Sequence, residues 1–180
     1  MITEKLIQDT SVIKLFELLD DTTGQLLQLI SFSNENKINT IPFENSWTAA
    51  QLVSHITKSN KAIAQALNME GKTAERDPGE RAHELEEIFL DFTIKFQSPE
   101  FILPTESIYP KEALIINLKR SIEQLEERRS KVNLSEMISV PPFGEITKLE
   151  LLYFVLYHTQ RHIHQLTDIL KKLKKVKNGN

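Results

Sequence analysis

Three of the five histidines in this 180-residue chain lie in one short stretch near its C-terminus, at positions 158, 162 and 164. His158 and His162 are four residues apart, a spacing that places both rings on one face of a helix, one turn from each other. Two imidazoles in this arrangement can bind one divalent metal ion. His164 would lie about 200° around such a helix from His162, and we do not expect it to be a ligand. The pair alone is also typical of two hydrogen-bonded histidines in a helical core.

A third histidine would complete a metal site. His55 stands between Leu52 and Ile56, which belong to the apolar stripe of another predicted helix, so we expect its ring to face the interior. An inward-facing histidine lowers stability unless its polar atoms are paired or coordinate a metal. Because packed helices lie about 8–10 Å apart, His55 can meet His158 and His162 over a single ion. The sequence therefore predicts a three-histidine site for a divalent metal.

Two glutamines are candidates for supporting these ligands. Gln165 lies about 20° from His158 around the helix, on the ligand face, where it could orient a histidine or contact a substrate. Gln51, in the predicted helix that carries His55, is the second residue to which we assign a supporting role. The sequence identifies no general base and no other catalytic residue.

Two further residues near or outside this cluster receive structural roles. Arg161 is about 100° from His162 around the helix. It could hold an anionic group of a substrate, but pairing with an acidic side chain is the interpretation that we favour. His83 has no partner histidine at a useful spacing and begins a polar stretch, so we expect it on the surface.

Helices must position the histidines, and apolar residues at three- and four-residue intervals indicate four long ones. The chain contains only 5 glycines and is rich in Leu, Ile, Lys, Glu and Gln, which favours helices over strands. A shorter apolar segment at about 81–96 predicts an accessory helix, and the proline-containing stretch 98–110 predicts a long surface loop. The long helices are predicted at residues 4–30, about 48–70, 111–131 and about 147–175.

Capping boxes mark the starts of the two helices that carry the histidines. Thr48 and Gln51 have the spacing of such a box, although Ser46 is an alternative cap for the same helix. Thr147 and Glu150 form the second box, directly after a break that contains two prolines and a glycine. We therefore predict an all-α four-helix bundle with an accessory helix or a long loop.

Composition excludes several classes of protein. The chain has no cysteine, which rules out disulfides, thiolate metal sites and a cysteine nucleophile. The formal net charge of -3 argues against a nucleic-acid-binding domain. Neither a signal-peptide pattern nor the roughly 20 consecutive apolar residues of a membrane span occurs. We predict a cytoplasmic protein that binds neither nucleic acid nor membranes.

The chain length fits one domain over residues 1–180. Its last part, about 171–180, is a lysine-rich tail that resembles a nucleic-acid or membrane patch at first sight. Cations at a helix C-terminus oppose the negative end of the helix dipole, and terminal lysines stay in water. We therefore assign the tail no binding function.

Three motifs together resemble the DinB-like family of helical bundles. They are a Trp followed eight residues later by His (Trp47 and His55), a Gly-x-x-Thr turn (Gly144 and Thr147) and a His-x-x-x-His-x-x-Gln segment (His158, His162 and Gln165). They extend from the second long helix to the last. The resemblance implies a four-helix bundle in which these histidines bind a divalent metal, usually zinc or nickel, and a tendency to form homodimers. It also implies an activity of the kinds found in the family, which includes metal-dependent hydrolases and small-thiol S-transferases.

A three-histidine metal site suits catalysis. Three neutral imidazoles leave coordination positions open on the ion, and such an ion lowers the pKa of a bound water or thiol. We therefore predict an enzyme that activates water for hydrolysis, or a low-molecular-weight thiol for transfer to an electrophile. The thiol would be a small-molecule substrate, since the chain has no cysteine. The family resemblance slightly favours transfer.

Two other hypotheses remain open at this point. The chain could be a non-catalytic bundle whose histidines stabilise the fold, with or without a metal. An open polar cleft above the histidines would favour the enzyme, and a plug of Leu or Phe side chains would favour the non-catalytic bundle. A metal sensor or nucleic-acid regulator would need a basic face outside the tail, which the sequence lacks.

Overall fold

Six helices and a small sheet make up the described part of the chain. The computed structural model describes the backbone of residues 2–175 and the side chains of residues 10–174. The α-helices are α1 (Ile2–Ser31), α2 (Glu35–Ile38), α3 (Ala49–Ala66), α4 (Ala82–Leu90), α5 (Lys111–Arg129) and α6 (Lys148–Lys175). A short 3-10 helix, Glu100–Ile102, lies between α4 and α5. The lysine-rich tail from residue 176 onward falls outside the described residues.

The four long helices α1, α3, α5 and α6 pack their apolar faces together and confirm the predicted all-α four-helix bundle. Their core forms two apolar clusters. Leu152 and Leu156 of α6 belong to one cluster, and Leu166 of α6 belongs to the other. His158 and His162 therefore lie on α6 between the clusters. No helix within residues 2–175 combines the length and the apolar run that a membrane crossing requires.

A three-stranded antiparallel sheet, which the sequence analysis did not predict, covers one end of the bundle. Its strands are β1 (Lys72–Thr73), β2 (Glu136–Val140) and β3 (Gly144–Thr147), in the order β1-β2-β3. Residues 141–143, expected only to break the chain, connect β2 to β3, and Gly144 at the start of β3 has a left-handed φ of 67°. Ile138 and Ile146 pair across the two strands and are buried in the core. Such short strands contain too few residues for their alternation to stand out in the sequence.

The accessory helix α4 ends at Leu90 and not near residue 96 as predicted. In the last turn of α4 and just after it, the Arg161 guanidinium of α6 donates hydrogen bonds to the carbonyl oxygens of Phe89 (3.1 Å), Asp91 (2.9 Å) and Ile94. The carbonyls of Asp91 and Ile94 thus bond to Arg161 outside any helix. The apolar residues of the sequence nevertheless continue beyond Leu90, which is why the helix was predicted to be longer. The pairing of Arg161 with an acidic side chain, which we expected, is replaced by bonds to backbone oxygens and by contact with the Phe96 ring.

Both predicted capping boxes are confirmed. At α3, the Thr48 hydroxyl accepts a bond from the Gln51 amide, and the Gln51 side-chain oxygen accepts one from the Thr48 amide. At α6, Thr147 and Glu150 make the same reciprocal pair of bonds. Thr48, and not Ser46, is therefore the N-cap of α3. These bonds satisfy amides that have no partner inside the helix.

Glu150 does more than cap α6. Its carboxylate is fully buried and accepts hydrogen bonds from the Arg76 guanidinium at 2.5 and 2.8 Å and from the Arg81 amide at 2.9 Å. Burial alone would raise the pKa of Glu150, but the bonds from Arg76, Thr147 and Arg81 lower it below its usual value. The segment that precedes α4 is thereby attached to the start of α6.

Replacing this carboxylate should destabilise the fold. We expect Glu150→Gln to lower the free energy of unfolding by about 2–4 kcal/mol, because Arg76 loses its charged partner in a buried site. Urea unfolding followed by circular dichroism measures the change. The exposed Glu145→Gln variant is the matched control and should stay within about 0.5 kcal/mol of the parent. Equal stability of Glu150→Gln and the parent would contradict a stabilising role for this contact.

Candidate metal centre

His55 of α3 and His158 and His162 of α6 meet in the interior. The Nε2 atom of His158 lies 3.3 Å from Nε2 of His55 and 2.9 Å from Nε2 of His162. One potential ligand atom from each ring lies within 4.8 Å of the others, and all three residues are buried. The tertiary structure thus brings together the three residues that the sequence analysis selected as metal ligands.

The surrounding contacts hold each ring in place. On α6 the one-turn spacing puts the rings of His158 and His162 edge to face, with centroids 4.2 Å apart. The His55 ring lies 5.2 Å from the Trp47 ring, which comes just before the N-cap of α3. Phe154, one turn before His158, contacts the latter ring with a centroid distance of 4.9 Å. Because every ring packs against others, the three nitrogens have little freedom to separate.

Hydrogen bonds on the opposite side of two rings determine where their protons lie. Nδ1 of His55 donates to the carbonyl oxygen of Ile102 at 3.1 Å, and Nδ1 of His162 donates to the side-chain oxygen of Gln165 at 2.6 Å. Each of these rings, when neutral, therefore has a lone pair on Nε2. Both lone pairs face Nε2 of His158, which can donate at most one proton. At least one nitrogen is left without a donor, and a cation among the three would satisfy all of them.

Burial keeps the rings uncharged. It is the main cause that lowers the pKa of His162 to about 3, with a further contribution from His55 and partial compensation by the bond to Gln165. Burial also lowers the pKa of His158 far below its usual value, and repulsion from His162, His55 and Arg161 adds to the effect. The pKa of His55 is lowered by burial as well, against the bond to Ile102. Neutral imidazoles are the form that binds a metal.

The donor set fits a divalent ion. Zinc–nitrogen bonds of about 2.0–2.1 Å in tetrahedral geometry put ligand nitrogens about 3.3 Å apart. The distance of 3.3 Å between His55 and His158 matches this value, and that of 2.9 Å between His158 and His162 is somewhat shorter. Imidazole nitrogens suit zinc, nickel and other late divalent metals. The three histidines would fill three coordination positions of such an ion and would leave the remaining ones for a small ligand.

The other residues considered from the sequence have different positions. The side-chain oxygen of Gln165 accepts a hydrogen bond from Nδ1 of His162, and its supporting role stays a prediction. Gln51 does not take up such a role, because its side-chain oxygen caps α3 and its nitrogen donates to the carbonyl of Glu106. The side chain of His83 is 78% exposed. His164 is also exposed and stacks on Phe92, with ring centroids 4.1 Å apart.

A large cavity opens beside the histidines. It has a volume of about 1110 Å³, and His55, His158 and His162 form part of its wall. Most of the remaining lining is apolar, with aromatic rings from several segments: Phe43, Trp47, Phe89, Phe92, Phe96 and Phe101. The space above the histidines is therefore open, as expected for an enzyme, but its walls are aromatic where we expected polar groups.

One wall of this cavity comes from residues 91–103, which the sequence analysis treated as the end of a helix and a loop without motif. The segment supplies the carbonyl of Ile102 to His55, and its other end is held by Arg161. Ile102 is buried although prolines flank its short helix. Sequence reasoning had no signal for these contacts, since a backbone carbonyl carries no residue identity.

These features define a class of protein, a four-helix bundle with three uncharged histidines that converge beside an open cavity. The chain belongs to the DinB superfamily, whose sequence profile matches residues 18–166. This confirms the resemblance inferred from its three motifs. Among curated proteins no match is found.

Solved structures with the same fold include three with low sequence identity. TT2238, a four-helix bundle protein, is 18% identical, with a TM-score of 0.58 over 86% of this chain and 97% of its own. A conserved protein from Enterococcus faecalis is 17% identical, with a TM-score of 0.61 over 88% and 94%. YfiT from Bacillus subtilis, described as a probable metal-dependent hydrolase with an unusual four-helix bundle topology, is 14% identical, with a TM-score of 0.57 over 89% and 86%.

The low pKa of His162 makes the stability of the metal-free protein depend on pH. Between about pH 3 and 6.5 the unfolded side chain is protonated and the folded one is not. The unfolded state then binds more protons, so the free energy of unfolding falls as the pH falls below about 6.5. We expect His162→Gln to reduce this slope by about 1 kcal/mol per pH unit.

Urea unfolding with a chelator present, at several values between about pH 4.5 and 7, measures these slopes. The matched control is His83→Gln, which removes a histidine from the surface. It should retain the slope of the parent. If His162→Gln retained that slope too, the folded His162 ring would not be held neutral as we infer.

Proposed function

We propose that this protein is a metal-dependent enzyme that uses a divalent ion on His55, His158 and His162 to activate a small thiol or a water molecule. The observation that carries the proposal is the convergence of three uncharged imidazoles on the wall of an open cavity. A purely structural metal site is normally closed by a fourth protein ligand. Within the described residues, these three histidines are the group suited to hold a metal.

A divalent ion held in this way supplies the Lewis acidity that lowers the pKa of a bound thiol or water. The chain contributes positioning. The carbonyl of Ile102 and the side chain of Gln165 hold two of the rings so that Nε2 faces the shared site. Apolar side chains form most of the cavity lining, and an apolar environment strengthens electrostatic interactions.

The charge distribution favours a thiol as the activated group. Among the described residues that line the cavity, Asp168 is the one carboxylate, six residues or about 9 Å along α6 from His162. An acidified thiol needs no protein base during its attack, whereas hydrolysis generally uses one. In the transfer, a sulfur–carbon bond replaces the bond between that carbon and its leaving group, and the thiol proton passes to solvent. The thiol comes from outside the chain, which suits a compartment that keeps thiols reduced, such as the cytoplasm.

Hydrolysis is the second candidate. The description of YfiT as a probable metal-dependent hydrolase favours it, since that protein has the same fold. A metal site with three imidazoles can also lower the pKa of water to about 7 without a nearby carboxylate. Both candidates use the same three histidines and differ in the nucleophile.

Metal content tests the shared part of the proposal. Purified, tag-free protein should contain about one divalent ion per chain, either as isolated or after reconstitution with zinc or nickel. His55→Ala, His158→Ala and His162→Ala should each lose it, because each leaves only two ligands. His83→Ala and His164→Ala are controls that should bind metal like the parent. Elemental analysis after gel filtration measures the ratio.

Activity distinguishes the candidates from a non-catalytic bundle. The reconstituted parent is incubated with an electrophilic aryl halide, with and without a low-molecular-weight thiol, and with an aryl ester. We expect thiol-dependent release of halide that is at least about 100-fold faster with the parent than with His158→Ala. Ester cleavage without thiol would instead indicate hydrolysis. Metal binding with neither activity would favour histidines that only stabilise the fold.

A further inference from the structure

The cavity beside the histidines is much larger than a small nucleophile needs. Its volume of about 1110 Å³ reaches the upper end of pockets that enclose drug-sized ligands, about 300–1000 Å³. A water molecule occupies about 30 Å³. Most of the space is therefore available to a second, bulkier molecule.

The mouth of this cavity exposes aromatic rings to solvent. Phe101 is 64% exposed, Phe43 is 50%, and Phe92 and Phe96 are 47% and 46% exposed. All four line the same cavity. Contiguous apolar surface is unusual on a protein unless a ligand or partner covers it. Exposed rings of this kind offer surface on which a flat apolar molecule can pack.

Positively charged side chains outnumber negatively charged ones among the described residues that line the cavity. Lys95 and Lys172 line the cavity together with one carboxylate, that of Asp168, among the described residues. Arg161 also lines the cavity, but its guanidinium already donates hydrogen bonds to backbone carbonyls. Lys172 Nζ lies 4.1 Å from the centre of the Phe43 ring. This ammonium group stands directly beside an aromatic surface and can pair with an anion that emerges from it.

We propose that the cavity binds an aromatic small molecule with one anionic group, the rings between the exposed phenylalanines and the anion at Lys172. Lys172 is ten residues beyond His162, or about 15 Å along α6. This separation favours a ligand with more than one ring over a single-ring ligand. The inference rests on the proposed function in one respect, since it takes the histidine site as the place where this molecule reacts.

Fluorescence titration of the metal-free, full-length chain tests the inference without relying on catalysis. The probe is anilinonaphthalene sulfonate, which has three aromatic rings and one anionic group. Its uncharged counterpart, anilinonaphthalene, lacks only the sulfonate. We expect one sulfonate probe to bind per chain, at least about fivefold more tightly than the uncharged one, because only the first can pair with Lys172.

Two variants separate the aromatic contribution from the charged one. Phe101→Ser should weaken both probes by at least about fivefold, since it removes a ring from the mouth. Lys172→Gln should weaken the sulfonate probe by a similar factor and leave the uncharged probe unchanged. The matched controls are Phe32→Ser, which removes a ring that is 89% exposed and lies outside the cavity lining, and Lys174→Gln, which removes an exposed lysine outside it. Neither should alter binding by more than about twofold.

Three results would overturn the inference. The first is an absence of saturable binding to the parent, and the second is equal loss of binding in the variants and their controls. The third is that Phe101→Ser converts a dimer into a monomer in gel filtration, which would assign the aromatic surface to a second copy of the chain. Metal content, measured on the same preparations, separates the two proposals. Probe binding without metal uptake supports the aromatic site and contradicts the proposal of a metal enzyme. Metal uptake without probe binding contradicts the aromatic site and leaves the metal site supported.

Discussion

The packing of three uncharged imidazoles inside an apolar bundle is the constraint on which the rest of the structure depends. His55, His158 and His162 have lone pairs that face one another, and a single proton cannot satisfy all of them. Such a cluster is unfavourable in an apolar interior unless each polar atom finds a partner. Ile102 and Gln165 accept hydrogen bonds from the Nδ1 atoms of His55 and His162. The Nε2 atoms, which face the centre of the cluster, are suited to bind a cation. A bundle that needed only stability would place leucines here.

Arg161 connects this cluster to the wall of the cavity. Arg161 belongs to α6, as do His158 and His162. Its guanidinium donates hydrogen bonds to backbone oxygens in the last turn of α4 and in the segment that follows. The same positive charge contributes to lowering the pKa of both histidines. A cation that shapes the wall therefore also disfavours protonation of the metal ligands. The Arg161 side chain therefore links the conformation of the cavity wall to the protonation of His158 and His162.

The long connection between α4 and α5 is fixed by hydrogen bonds at several points. The Ile102 carbonyl accepts a hydrogen bond from His55, and the neighbouring Leu103 carbonyl accepts one from Lys58. Further along, the Asn39 side chain bonds to both the amide and the carbonyl of Tyr109. These contacts hold a connection with little regular structure over one side of the bundle, where it covers part of the histidine site. Loops on a rigid scaffold commonly carry the groups that select a ligand. Here the scaffold supplies the three histidines, and the connection supplies Phe92, Phe96 and Phe101 of the aromatic lining.

Local chemistry allowed the sequence by itself to determine the four long helices, both capping boxes and the shared face of the two histidines of α6, because these depend on residues three or four positions apart. It also identified His55 as inward-facing, and it proposed a supporting role for Gln165, which bonds to His162. Only the tertiary structure decided that the side-chain nitrogen of Gln51 bonds to the Glu106 carbonyl, that α4 stops at Leu90, and that the β2–β3 hairpin exists. The cavity belongs to this second group, since its walls are built by contacts between residues far apart in the chain. Those contacts use backbone oxygens and one arginine, for which a local pattern of residue types provides no signal.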